Sequence, residues 1–204
     1  MVATGYGRHL IQSELDCPVI TEIKAYAIGA NSLFPECRTV IDIGGQDSKV
    51  IRITQGSVDD FEMNDRCAAG TGKFLEVMAN TLGYTIDQLG EEALKAVSSV
   101  SINSMCTVFA ESEVISLIAR GETPKNIALG LHDSILNRLM SMLGRIGFDD
   151  EVVFAGGVAK NRCIAALLKK RLRKKILIPR EPQIVGALGA ALEALNNGGK
   201  HDIH

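Results

Sequence analysis

The sequence predicts an α/β fold in which a mixed sheet is flanked by helices. Residues 39–43 are β-branched and apolar, as in a buried strand, and two further strands are predicted at 48–54 and 58–63. Tight turns with glycine join these segments, so the three strands are expected to be antiparallel. Strands at 151–155 and 175–178 then alternate with helical segments, an order typical of layered folds with a mixed sheet.

The helices are predicted from apolar residues that recur at helical spacing. Residues 18–33 form the first helix, and Pro35 ends it. A helix that starts after Gly72 has one apolar face, and a long helix begins at Thr123–Pro124. The inward residues of these two helices are expected to be Phe74, Leu75, Met78 and Leu82 in the shorter, and Ile127, Leu131, Ile135, Leu139, Leu143 and Ile146 in the longer.

Three more helices complete the prediction. They span 107–120, 161–173 and a last segment opened by Pro182, while 84–100 combines helix and loop. The helix at 107–120 is expected to turn Val108, Ile115 and Ile118 inward. The last helix is expected to bury Ile184, Leu188, Ala191, Leu192 and Leu195.

Composition excludes several function classes. The 204 residues are 46% hydrophobic, enough for one sizeable core, and the net charge of −2 favours neither nucleic acid nor a membrane surface. No apolar run reaches the roughly 20 residues that span a bilayer, and no secretory signal is recognisable. A cytoplasmic location is therefore expected. The basic run at 169–175 is attributed to a solvated helix end.

One stretch, residues 64–74, organises the candidate chemistry. Cys67 lies just ahead of Gly70, Thr71 and Gly72, where a helix begins. The unpaired N–H groups and the dipole of a helix N-terminus stabilise a thiolate, an anionic cluster or a phosphate. A buried thiol in a glycine turn remains the alternative.

Two glycine turns at strand ends suggest a nucleotide. Asp42, Gly44, Gly45, Gln46 and Asp47 form the first turn, whose backbone can approach an anion and whose Asp42 can hold Mg²⁺ directly or through water. An ordinary hairpin turn would also explain this motif.

The second turn joins a strand to a helix. Gly156 and Gly157 follow the strand at 151–155, and Asn161 starts the next helix. Such a junction can bind ribose or phosphate, although any tight turn between a strand and a helix can have the same sequence pattern. Both turns together favour a nucleotide in a cleft.

The five cysteines are widely spaced, and two of them stand out. Cys67 and Cys106 each precede a helix and are 39 positions apart, so they form no local chelate. Two thiolates do not complete a four-cysteine site, but a two-fold homodimer would supply four. The remaining three, Cys17, Cys37 and Cys163, are interpreted as structural thiols.

Several motifs occur together and in a fixed order. They are a Thr4–Arg8 turn, Asp42-Ile-Gly-Gly-Gln-Asp, Cys67-Ala-Ala-Gly-Thr-Gly, Met105-Cys-Thr-Val-Phe-Ala-Glu-Ser-Glu-Val and Ala155-Gly-Gly-Val-Ala. This combination resembles the ATP-dependent activators of 2-hydroxyacyl-CoA dehydratases, over essentially the whole chain.

The resemblance implies an actin-like ATPase fold, shared with sugar kinases and heat-shock ATPases, and a set of cofactors and partners. It implies ATP or ADP with Mg²⁺, and one 4Fe–4S cluster per homodimer, held by Cys67 and Cys106 of each chain. The turn at 42–47 corresponds to the second phosphate-binding loop and Gly156–Gly157 to the adenosine loop. Reduced ferredoxin or flavodoxin is the implied electron source, and the dehydratase is the acceptor.

The resemblance also implies a domain division. Residues 1–38 would belong to a first lobe, 39–180 to a second lobe that carries the cluster cysteines, and 181–204 to a C-terminal helix that returns to the first lobe, with a tail. Family members begin with a strand and an Asp-x-Gly-Ser-type phosphate loop that this sequence lacks, so the first lobe is incomplete and weaker nucleotide binding or hydrolysis is expected.

Three rival functions remain open at this point. They are an ATPase subunit of a benzoyl-CoA-type reductase, a cluster-free relative of the acetate and sugar kinases, and a non-catalytic interaction module. Iron analysis separates the kinase from the activator, because a kinase contains no cluster.

Overall fold

The computed structural model describes residues 1–102, 106–149 and 151–198. Within these residues five strands form one sheet: β1 (Thr39–Ile43), β2 (Ser48–Thr54), β3 (Ser57–Asn64), β4 (Val152–Ala155) and β5 (Ile176–Leu177). The helices are α1 (Arg8–Leu15), α2 (Glu22–Leu33), α3 (Gly72–Thr81), α4 (Ile86–Ala93), α5 (Thr107–Ala119), α6 (Pro124–Ile146), α7 (Arg162–Leu172) and α8 (Val185–Gly198).

The sheet is mixed, as predicted. Its order is β3-β2-β1-β4-β5; β2 is antiparallel to both β1 and β3, whereas β4 is parallel to both β1 and β5. The register between β1 and β2 places Asp42 opposite Lys49. The turn after β1 and the turn after β4 therefore lie side by side at one edge of the sheet, because β1 and β4 run in the same direction.

Helices cover both faces of the sheet. The larger core lies between the sheet and α3 to α7, and the six predicted inward residues of α6 are all buried there. The smaller core joins the other face to α2 and α8. Glycines let α2 and α8 touch, because a Cβ on Gly189 would lie 1.8 Å from the carbonyl oxygen of Ala25.

The predicted inward faces of α5 and α8 are wrong. Val108, Ile115 and Ile118 are 66%, 57% and 41% exposed, and α5 instead buries Ala110 and Val114. Apolar residues lie all round α5, so their spacing does not select one face.

In the last helical segment, Ile184 and Leu195 are exposed, and Val185 and Ala190 are buried in their place. The cause is the close crossing with α2, which uses glycines such as Gly189 rather than leucines.

The sequence prediction also missed local elements near the start of the chain. Helix α1 buries no residue, so it lacks the apolar face from which helices are recognised. Ala3 and Val19 form a short parallel bridge. In the part of the chain that the structure describes, no helix is long and apolar enough to cross a membrane. The predicted tail beyond residue 198, and Met105 in the second cysteine motif, lie outside the described residues.

Candidate functional site

The turn that follows β1 is bonded to the start of α3. The backbone N–H of Gly72 donates to the carbonyl of Gly44 (2.8 Å), and that of Lys73 donates to the carbonyl of Gly45 (2.9 Å). A Cβ on Gly72 would lie 3.1 Å from the Gly44 oxygen, so glycine at the helix start permits this approach. The predicted phosphate turn and the helix after Cys67 are therefore joined directly through their backbones.

Beside this turn lies a cluster of charges in which Lys49, Asp42 and Asp47 are buried and Glu22 is partly exposed. The Lys49 ammonium is 2.6 Å from Oδ1 of Asp47, 3.2 Å from Oδ2 of Asp42 and 3.4 Å from Oε2 of Glu22. The Tyr6 hydroxyl donates to Oδ2 of Asp47 (2.9 Å). Three carboxylates around one ammonium leave the cluster with an excess of negative charge.

Burial sets the protonation behaviour of the cluster. Desolvation raises the pKa of Asp42 to about 6, although Lys49 pulls in the opposite direction. Burial alone would lower the pKa of Lys49, but the carboxylates of Asp42, Asp47 and Glu22 outweigh it and raise that pKa. At neutral pH the Lys49 ammonium and the Asp42 carboxylate are therefore charged.

One carboxylate oxygen of Asp42 has no hydrogen-bond partner among the residues that the structure describes. Its Oδ1 is buried and accepts no hydrogen bond, while Oδ2 is bonded to Lys49. A Cβ on Gly156 would lie 2.4 Å from Oδ1, and Gly156 has φ +84°, so glycine is required there on both counts. An orphaned carboxylate oxygen and excess negative charge fit a divalent cation that takes oxygen ligands.

Five of the predicted cofactor residues line one cleft. Gly44, Gly45, Gly72, Gly157 and Asn161 surround a cavity of about 520 Å³, to which α4 also contributes. Beyond these, its walls include Ile86, Asp87, Gly90, Glu91, Lys160, Arg162 and Gln183. The predicted turns at the ends of β1 and β4 are thus brought together.

The other predicted residues lie outside this lining. Gln46 is exposed on the turn, and Gly156 lies behind it against Asp42. Gly70 lines a separate cavity of about 390 Å³ beside Arg138. Thr71 is buried, and its hydroxyl donates to the carbonyl of Ala68 (2.6 Å).

The two candidate metal ligands are accessible, whereas the other cysteines are buried. Cys67 is half-buried and Cys106 is exposed, in contrast to Cys17, Cys37 and Cys163. Cys106 occupies the N-cap position of α5, and its own side chain makes no capping hydrogen bond to that helix.

Cys67 and Cys106 carry the kind of side chain that iron–sulfur clusters take as ligands. Among the described residues, no three His, Cys, Asp or Glu side chains of one chain are arranged so that together they could hold a metal ion. Two accessible thiols, one of them at a helix N-terminus, fit the chemistry of thiolate ligands but do not by themselves complete a four-thiolate site.

The cationic side of the charge cluster was not predicted from the sequence. The Lys49 side chain is 2% exposed, and Tyr26 lies beside it with its ring centroid 5.9 Å from the ammonium. The contact between Lys49 and Asp42 could have been inferred from the predicted hairpin, because the pairing of β1 with β2 puts these two residues opposite each other.

The sheet, the paired turns and the cleft define an actin-like ATPase fold. More particularly, the chain belongs to the BadF/BadG/BcrA/BcrD ATPase family, whose model matches residues 1–194. The predictions of fold, family and ATPase class are thereby confirmed.

A curated relative and a solved structure from one organism illustrate the similarity. The chain is 44% identical, over 199 residues, to the (R)-2-hydroxyglutaryl-CoA dehydratase activating ATPase of Acidaminococcus fermentans, covering 98% of this chain and 76% of the relative. The crystal structure of component A of that dehydratase superposes with a TM-score of 0.92, at 43% identity, over 97% of this chain and 76% of the other.

A second structure contains a nucleotide analogue. It is the activator of the 2-hydroxyisocaproyl-CoA dehydratase from Clostridium difficile with bound ADPNP, with a TM-score of 0.90 and 43% identity over 98% of this chain and 74% of that one. A more distant relative, one of the subunits of the benzoyl-CoA reductase of Thauera aromatica, is 35% identical over 175 residues, covering 82% of this chain and 62% of the relative.

Proposed function

We propose that this protein is an ATP-dependent one-electron donor that activates a 2-hydroxyacyl-CoA dehydratase. The observation that carries the proposal is the pair of hydrogen bonds from Gly72 and Lys73 to Gly44 and Gly45. These bonds join the turn that would contact phosphate to the helix that follows Cys67. Through these bonds, a shift of the turn when the nucleotide changes would also move the start of α3 and, with it, Cys67, the candidate electron site.

The cleft is the proposed nucleotide site. Gly45 would face the phosphates with its backbone N–H group. Gly44 and Gly72, whose N–H groups donate to the carbonyls of Asp47 and Gly44, would let the backbone approach the phosphates closely, and Gly157 and Asn161 would face the nucleoside. Gly70, Thr71 and Gly156 would act by shaping the backbone around the cleft. The bound ADPNP in the Clostridium difficile relative supports ATP or ADP as the ligand.

Asp42, Gln46 and Asp47 are the proposed catalytic residues. Asp42 and Asp47 would hold Mg²⁺, directly or through water, because their carboxylates carry the negative charge left over by Lys49. Gln46 is exposed at the tip of the turn, where its amide can orient an attacking water. Tyr6 contacts the Asp47 carboxylate and Glu22 the Lys49 ammonium, so both would help to hold these groups in place.

Cys67 and Cys106 are the proposed metal ligands, two from each chain of a homodimer. A bound 4Fe–4S cluster supplies a low-potential one-electron carrier. The two thiols would hold it at the surface, and the N-terminus of α5 would offset part of its negative charge.

The proposed coupling uses movement between two lobes. We propose that 1–38 and 181–204 belong to one lobe and 39–180 to the other, with α2 and α8 packed on the sheet of the second lobe through the smaller core. Nucleotide and product would favour different closures of the lobes, and a ligand shifts such an equilibrium by its difference in affinity for the two states. Since α3 is bonded to the phosphate turn, each closure would reposition Cys67.

The proposed partners follow from the relatives. Two of them are a dehydratase activating ATPase and a subunit of benzoyl-CoA reductase, so both are tied to enzymes of acyl-CoA substrates. We propose a dehydratase as electron acceptor and reduced ferredoxin or flavodoxin as donor, in the cytoplasm. A reductase subunit is the second candidate function, and the lower identity to that relative makes it the weaker one.

Anaerobic iron and sulfide analysis, combined with native mass spectrometry, tests this function. The proposal predicts a dimer that contains four irons, together with ATP hydrolysis that requires Mg²⁺. A protein that hydrolyses ATP or phosphorylates a sugar without iron would instead be a kinase relative, and one that binds no nucleotide would be an interaction module.

A further inference from the structure

A buried histidine stands behind the nucleoside side of the cleft. His132, on α6, has no exposed surface, and its Nδ1 is 2.7 Å from the carbonyl oxygen of Ala128. Its Nε2 is 3.0 Å from Nδ2 of Asn161, which lines the cleft. Both ring nitrogens thus have defined partners.

These contacts fix the proton on the ring. A carbonyl oxygen only accepts, so Nδ1 of His132 carries the hydrogen that is donated to Ala128. In the neutral ring Nε2 is then an acceptor, and it takes a hydrogen from the Asn161 amide.

The same arrangement fixes the orientation of the Asn161 amide. Its Oδ1 accepts the backbone N–H of Ile164 (3.0 Å) and thereby caps α7. A reversed amide would place its NH₂ against the Ile164 N–H and its oxygen against the bare Nε2 of His132. Gly90 of α4 packs closely against this amide, because a Cβ at position 90 would lie 3.0 Å from Oδ1 of Asn161.

We propose that His132 is a positioning residue for nucleotide binding, which holds Asn161 in the one orientation that caps α7 and shapes the nucleoside end of the cleft. The inference rests on the proposed function of the cleft as a nucleotide site. His132 touches no ligand itself, and it acts through Asn161.

The surroundings of His132 keep the ring neutral. Burial lowers the pKa of His132, against the opposing effects of the Ala128 carbonyl, Asn161 and Asp133. On α6, the Asp133 carboxylate is paired with Arg171 of α7 at 2.6 Å. On α7, burial raises the pKa of the Cys163 thiol to about 12, so it is uncharged. Protonation would add an N–H that faces the Asn161 NH₂.

The test compares His132→Phe, which keeps an aromatic ring without either bond, with His132→Gln, which keeps an acceptor. Leu143→Ala, about 16 Å further along α6, is the control for a general loss of packing. ADP titration by calorimetry is expected to give a Kd raised about tenfold in His132→Phe, partly restored in His132→Gln and unchanged in Leu143→Ala.

The pH profile and the ring tautomer complete the test. Wild-type affinity for ADP is expected to fall as the pH drops through the lowered pKa of His132. The His132→Phe variant should lose this part of the pH dependence, whereas the part that Asp42 causes remains in both proteins. Equal Kd values and parallel pH profiles would overturn the inference, whereas a wild-type protein that binds no ADP would overturn the proposed function instead. If His132→Phe does not fold, nitrogen NMR of the wild type decides, because a ring with its hydrogen on Nε2 contradicts the proposal.

Discussion

The Lys49 ammonium lies 2.6 Å from the Asp47 carboxylate, with only 2% and 6% of these two side chains exposed. Lys49 also faces Asp42 and Glu22, so its one positive charge is shared by three carboxylates, two from β1 and the turn after it and one from α2. Buried carboxylates without a counter-charge are costly, because each loses its hydration. The turn that carries Asp42 and Asp47 therefore depends on Lys49.

Replacing Lys49 with methionine is expected to cost about 3–5 kcal/mol of unfolding free energy, because it leaves uncompensated buried carboxylates. Urea denaturation measures this change. Lys95→Met is the matched control, since its pair with Glu92 is at the surface and should leave the midpoint almost unchanged. Equal midpoints for both variants would contradict the role of Lys49.

Alanine at Gly156 is expected to destabilise the fold by about 2–4 kcal/mol. The added Cβ would meet Oδ1 of Asp42 and the carbonyl of Ile43, both at 2.4 Å, at a backbone φ that favours glycine. Gly144→Ala, where a Cβ meets open space within α6, should stabilise slightly. Thermal denaturation of the two variants gives the comparison, and a neutral Gly156→Ala would show that the turn relaxes freely.

Thiol labelling of the folded, iron-free protein is expected to separate the cysteines into two groups. Cys106 should react fast and Cys67 more slowly, in line with their exposure. Cys37 and Cys163 should stay unlabelled, because burial raises their pKa to about 11 and about 12. Mass spectrometry of digested protein reads out each site, and labelling of Cys163 ahead of Cys106 would contradict the structure.

Asp42→Asn is expected to lower Mg²⁺-dependent ATP hydrolysis more than about tenfold, since it removes a proposed oxygen ligand. The iron content should not change, because Asp42 is not one of the proposed cluster ligands. Asp59→Asn, at the surface of β3, serves as the control. Full activity in Asp42→Asn, measured as phosphate release, would exclude Asp42 from the magnesium site.

Much of the fold was predictable, and the reasons are specific. The hairpin strands and α6 carry strong apolar patterns, and the predicted inward residues of α6 are buried as expected. The inward face of α5 was not predictable, because apolar residues surround that helix. The inward face of α8 was not predictable for another reason, because Gly189 rather than a leucine makes the contact with α2.

The candidate site was predictable in part. Glycine turns at strand ends indicated the cleft, and five of the predicted residues line it. Lys49 and His132 were not predicted, because a lysine in an alternating strand and a lone histidine in a helix are usually ordinary residues. Their importance comes from tertiary contacts with Asp42 and Asn161 that no local pattern reveals.

Cys67→Ser and Cys106→Ser are each expected to abolish the cluster absorbance of anaerobically prepared protein, because either change removes two ligands from the dimer. Cys17→Ala, a buried cysteine elsewhere in the chain, should retain it. Visible absorbance and iron content give the answer, and a variant at Cys67 or Cys106 that keeps a full cluster would refute the ligand assignment.

The proposed function requires that ATP drive an electron from this protein to a dehydratase. The decisive experiment is the turnover of a 2-hydroxyacyl-CoA by the partner dehydratase, measured anaerobically with this protein and a reductant in the presence and absence of ATP. We expect turnover only when protein, reductant and ATP are all present. Equal turnover without ATP, or none when all three are supplied to a competent dehydratase, would show that the proposed function is wrong.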